Sequence, residues 1–111
     1  MIAQITPSEF QAWVAAQPQA VTLLDVRESW ELQTASVVAN GFELKHLPMN
    51  DTPARLTELD QSSPIACLCH HGARSMQVAS FLVQQGFSHV ANVAGGIHAW
   101  SSQVDATVPM Y

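Results

Sequence analysis

The sequence predicts an α/β fold, one domain built on an about five-stranded parallel sheet with helices on both faces. Three observations carry this. Short, nearly continuous apolar runs such as Val21–Val26 and Ile65–Leu68 have the character of strands buried on both faces of a parallel sheet. Strand-like and helix-like segments alternate along the chain, the order that gives parallel strands joined by covering helices. The 111 residues suffice for one core and are too few for a second, so residues 1–111 are expected to form a single domain with one site.

The elements follow in order. Thr6-Pro7-Ser8-Glu9 starts a helix: Thr6 caps, Pro7 takes the first helical position and Glu9 completes a capping box. This helix runs to about Ala16, and Pro18 and Gln19 break it before the strand Val21–Val26, with Asp25 near its carboxyl end. Glu28 to about Gln33 makes a short helix, Phe42 to Pro48 a strand closed by proline, and Leu56 and Leu59 mark another short helix. Pro64 precedes the strand Ile65–Leu68; the helix after it extends from about Ala73 to Gln85 and ends at Gly86, a favoured left-handed C-terminal residue. His89–Val93 is the last strand, after which Gly95-Gly96 turns the chain into a short helix around His98 to Ser101.

Composition narrows the functional classes. With 48% hydrophobic and 12% charged residues the chain is globular rather than disordered. A formal charge of −5 with four Lys and Arg in total argues against a nucleic-acid surface, which needs clustered basic residues. No stretch approaches membrane-spanning length, and Met1-Ile2-Ala3-Gln4-Ile5 lacks the pattern of a secretory signal; a cytoplasmic location is expected. Cys67 and Cys69, two residues apart, do not make a disulfide framework, and a bridge between them would be strained.

The chemistry concentrates in Cys69-His70-His71-Gly72-Ala73-Arg74-Ser75, a loop between a strand and a helix. A helix start leaves backbone N–H groups without intrahelical partners and adds roughly half a positive charge. Anions are stabilised there, and so is a thiolate. Cys69 is the nucleophile candidate, with His70, His71, Gly72, Ala73, Arg74 and Ser75 forming the substrate and anion-binding loop. Arg74 sits where the helix dipole disfavours a cation, so a role in holding a sulfonate or sulfate-like group through its planar fork is expected. His70 and His71 are expected to give backbone N–H groups to the cradle, with their side chains at its rim. No metal is expected, because adjacent residues in one tight loop converge poorly on a tetrahedral ion and no distant Cys-x2-Cys partner exists. Cys67 reads as a buried core thiol. Trp13, Trp30 and Trp100 read as core or helix-packing residues.

The Cys-x4-Arg loop followed by Ser75, with Asp25-Val26-Arg27-Glu28 upstream and Gly95-Gly96-Ile97-His98-Ala99-Trp100 downstream, resembles a single-domain rhodanese. Three motifs in the family's order carry the resemblance across nearly the whole chain. It departs from the family between Gln33 and Gly41, where a Gly-His-Ile followed by Pro-Gly-Ala is often found and Thr34-Ala35-Ser36-Val37-Val38-Ala39-Asn40-Gly41 stands instead. The resemblance implies a sulfurtransferase in which Cys69 takes a sulfane sulfur from thiosulfate or a related persulfide donor and passes it, as a cysteine persulfide, to cyanide or a thiol, including a protein thiol as acceptor. It implies no cofactor, and it makes Asp25 and Arg27 supports of the active-site end of the sheet rather than catalysts. Two other readings stand beside it. A cysteine phosphatase or arsenate reductase also sets Cys and Arg around an oxyanion, but resembles Cys-x5-Arg, whereas four residues separate Cys69 from Arg74. A non-catalytic rhodanese-like binding module commonly lacks the cysteine.

Overall fold

Five parallel strands form one sheet in the order β1-β5-β4-β2-β3 in the computed structural model, which describes residues 2–111. The chain runs β1 (Ala3–Ile5), α1 (Pro7–Ala16), β2 (Thr22–Asp25), α2 (Ser29–Thr34), β3 (Glu43–His46), β4 (Ile65–Leu68), α3 (Ala73–Gln84), β5 (Val90–Val93) and α4 (Gly96–Gln103). Two 3-10 turns, Met49–Asp51 and Leu56–Glu58, lie between β3 and β4.

The expected α/β architecture is present, with differences at the ends of elements. The short helix around Leu56 is a single 3-10 turn, and the last helix begins at Gly96, two residues before the expected start. The fifth strand is the edge strand β1, whose three residues Ala3-Gln4-Ile5 pair only with β5. Three residues with two exposed leave no apolar run to read.

Alternation of side chains across the sheet divides the core in two. Leu23, Ala66, Leu68, Ala91 and Val93 face α1 and α4, meeting Phe10, Ile97 and Trp100. Leu24, Val26, Ile65, Cys67 and Val90 face α3, meeting Val78, Ala79 and Leu82. Phe10 is fully buried and sits edge-on to Phe42 and Trp100 at centroid distances of 5.2 and 5.3 Å. Burying one such ring contributes about 2–3 kcal/mol. Thr6 starts α1 as expected, its N–H donating to the Glu9 carboxylate at 3.0 Å.

Strand order positions the site. The connection after β2 leads to β3 on one side and the connection after β4 leads to β5 on the other, so the connections leaving these two neighbouring strands diverge at the carboxyl ends. Such a crevice is where open α/β sheets bind ligands. Asp25 ends β2 in register with Leu68, the last residue of β4, which puts the segments following Asp25 and Leu68 side by side.

Candidate active site

Cys69 directly follows β4, and its side chain is buried. The chain turns at Gly72, whose φ of +110° lies in the region that glycine adopts without a Cβ penalty. That turn aims the Gly72 N–H at the Cys69 Sγ, 3.0 Å away. The amides of His70, His71, Ala73, Arg74 and Ser75 have no acceptor among the described residues, and the last three form the first turn of α3. Cys69 therefore stands at the head of a row of backbone donors, the arrangement that stabilises negative charge.

The loop is braced from below by α4. Ile97 N–H donates to the Cys69 carbonyl at 2.8 Å and His98 N–H to the His70 carbonyl at 3.1 Å. Gly96 permits this approach: a Cβ there would lie 2.5 Å from the Cys69 carbonyl oxygen. The Ser75 hydroxyl, fully buried, turns inward to the Asn92 side chain and the Gly72 carbonyl. Asn92 donates in turn to Gly72 O at 3.3 Å. Ser75 thus holds the loop shape through its side chain and can meet an anion only through its amide.

Asp25 and Arg27 form a buried ion pair, Arg27 Nη2 to Asp25 Oδ2 at 2.8 Å and Nε to Oδ1 at 2.9 Å. Arg27 spends its remaining donors on the carbonyls of Ala35 and Glu31 and on the Tyr111 hydroxyl. Burial opposes the charged guanidinium, and the Asp25 carboxylate more than compensates, raising the Arg27 pKa above its ordinary value. The pair ties the end of β2 to α2 and its C-terminal cap Ala35.

Arg74 does not stand free in the anion site. Its guanidinium holds the Glu31 carboxylate in a two-point pair, Nη1 to Oε2 and Nη2 to Oε1, both 2.8 Å. The Arg74 hydrogen bonds lead the forces that pull the Glu31 carboxyl down to about 2 against the opposing effect of its burial, with the Glu28 amide and Tyr111 hydroxyl assisting. Arg74 is held protonated chiefly by Glu31, with Cys69 among the lesser contributors. Its charge thus remains within electrostatic reach of the sulfur while its fork is occupied. The fork expected to receive a sulfonate is engaged here by the buried carboxylate of Glu31, 43 residues upstream.

A rhodanese-like domain family model matches residues 6–103. The chain belongs to the rhodanese-like family. It is 35% identical over 88 residues to a sulfurtransferase of Allochromatium vinosum, covering 78% of this chain and 77% of that one. It is 32% identical over 93 residues to the thiosulfate sulfurtransferase GlpE of Actinobacillus pleuropneumoniae, covering 84% and 82%. A chloroplastic rhodanese-like/PpiC domain-containing protein of Arabidopsis thaliana is 42% identical over 91 residues, 80% of this chain, but the match spans only 30% of that longer relative. Among solved structures, a rhodanese-related protein of Thermoplasma volcanium superimposes with a TM-score of 0.79 at 27% identity, covering 98% and 99% of the two chains.

Within this rhodanese-like domain, four residues that the sequence did not single out complete the site. Glu31 pairs with Arg74, and Asn92 holds Ser75. Tyr111 stacks on His70 at 3.9 Å with ring planes 5° apart, while its hydroxyl accepts from Arg27 and donates to Glu31. His98 comes from α4 to lie beside His71, ring centroids 5.0 Å apart. Only His98 had a signal, its place in the Gly-Gly-Ile-His-Ala-Trp segment, and it brings a third imidazole from outside the loop beside the adjacent pair His70 and His71. His70 is held between Tyr111 and His71; burial and the neighbouring His71 lower its pKa below the ordinary histidine value. Cys67 is buried in the core, and burial pushes its thiol up to about 12, so it stays protonated. Trp100 is buried as expected, whereas Trp30 is 61% exposed on α2.

Proposed function

We propose that this rhodanese-like domain is a sulfurtransferase that carries sulfur as a persulfide on Cys69. The observation that bears most weight is the Gly72 N–H directed at Sγ in a loop whose other amides are unclaimed. In the first half-reaction the Cys69 thiolate attacks the outer sulfur of thiosulfate or a persulfide donor. A new S–S bond forms, the old one breaks, and sulfite or a thiolate leaves with the electron pair. The terminal sulfur of the resulting persulfide carries negative charge, which fixed backbone N–H groups stabilise without reorganising. In the second half-reaction cyanide or a thiol takes that sulfur and returns Cys69 as thiolate. Relatives named sulfurtransferase and thiosulfate sulfurtransferase support this class of reaction.

All four basic side chains of the chain are in ion pairs, Arg27 with Asp25, Arg74 with Glu31, and Lys45 and Arg55 with Glu58. Donor recognition accordingly falls to the backbone amides and the histidines of the loop. The same commitment of Arg74, together with a four-residue spacing, disfavours the phosphatase chemistry, which needs a free guanidinium on the phosphoryl group.

The test is thiosulfate-to-cyanide transfer by Cys69→Ser and Cys67→Ala proteins. Turnover falls to background in the first and persists in the second. Turnover retained by Cys69→Ser would remove the assignment.

A further inference from the structure

We propose that His70, His71 and His98 form a binding site for a divalent transition cation such as Zn2+, built on the Cys69 loop and completed by α4. The three imidazoles each offer a ligand nitrogen, and these atoms lie within 4.8 Å of one another. A tetrahedral ion with bonds of about 2.0–2.1 Å to histidine requires nitrogens about 3.4 Å apart, so the cluster closes by small rotations of His71 and His98. Both side chains are exposed, which leaves the ion a path from solvent.

The scaffold beneath them is fixed. The His98 amide donates to the His70 carbonyl and the Ile97 amide to the Cys69 carbonyl, locking the start of α4 against the loop, and Gly96 allows the contact. The His70 ring is clamped between Tyr111 at 3.9 Å and His71 at 4.0 Å. Its Nε2 is shielded from water and has no hydrogen-bond partner among the described residues. Leaving such a nitrogen unpaired is unfavourable, and coordination through it gives it a partner. Three imidazoles with no carboxylate or thiolate among them leave a fourth position for water or an incoming ligand, the donor set of an open rather than a closed structural site.

This site does not depend on the sulfurtransferase reading and is tested apart from it. Reduced protein without a polyhistidine tag is titrated with Zn2+ against a chromophoric chelator, and with Co2+ while its visible absorption is recorded. Wild type and Cys69→Ser should bind one equivalent with affinities within about threefold of each other, with an intense Co2+ band typical of four-coordination. His98→Ala and His71→Ala should each weaken binding at least tenfold, with thermal unfolding confirming that both variants are folded. Binding lost in Cys69→Ser but kept in His98→Ala would assign the ion to the thiol and overturn the proposal. Wild-type binding no tighter than that of a variant lacking all three histidines would overturn it as well.

Discussion

Two carboxylate–guanidinium pairs flank Cys69, and they differ in what they do. Asp25 and Arg27 are both buried and hold the β2 end rigidly. Removing one partner of such a pair leaves an uncompensated charge in the core, so Arg27→Met should destabilise the protein by about 3–5 kcal/mol, read from the urea midpoint; a loss under 1 kcal/mol would show the pair to be dispensable. Glu31 and Arg74 act on the loop itself, and their contribution is pH-dependent. The Glu31 carboxyl titrates at about 2 in the folded protein and near 4.3 when unfolded. A depressed folded pKa stabilises above the unfolded value and is lost as pH falls through the folded one. Since Arg74 is one-third exposed, solvent screening reduces the gain to about 2 kcal/mol. Glu31→Gln should therefore lose about this much stability at pH 6 and approach wild type near pH 2. An equal deficit at both pH values would contradict the assignment.

At the scale of elements, α3 provides donors and α4 provides support. Gly96→Ala forces a Cβ against the Cys69 and His70 carbonyls in a left-handed backbone position, so it should cost about 2–4 kcal/mol and lower sulfur transfer by displacing the loop. Gly41, also at positive φ but with open space around it, is the control; alanine there should cost only about 1–2 kcal/mol and leave transfer intact. Comparable losses of transfer in both variants would refute the bracing role. Elements buried on both sides were legible, because β2 and β4 write their burial into continuous apolar runs and α1 carries its cap in Thr6 and Glu9. The edge strand β1 was not, since half-exposed Ala3-Gln4-Ile5 has no distinctive pattern. The start of α4 was placed too late because Gly95 and Gly96 read as a turn, whereas Gly95 caps the helix and Gly96 begins it.

Across the whole molecule, the polar network gathers at the carboxyl ends of β2 and β4, where diverging connections open a crevice. Cys69 and its loop were legible because they are contiguous in sequence. The residues that orient them were not, because Glu31, Asn92 and Tyr111 come from α2, β5 and the chain's last residue, and no local spacing announces contacts made only on folding. The same non-locality explains why Arg74 reads as an anion ligand in sequence and is a partner of Glu31 in space. The fold and family agree with relatives that match over most of the chain. The proposed function turns on one sulfur atom carried by Cys69. Intact-protein mass spectrometry after incubation with thiosulfate tests it most directly, with Cys69→Ser in parallel and a reducing thiol added afterwards. The wild type alone should gain one sulfur, reversed by the thiol; no gain on the wild type, or the same gain on Cys69→Ser, would show that Cys69 is not the sulfur carrier.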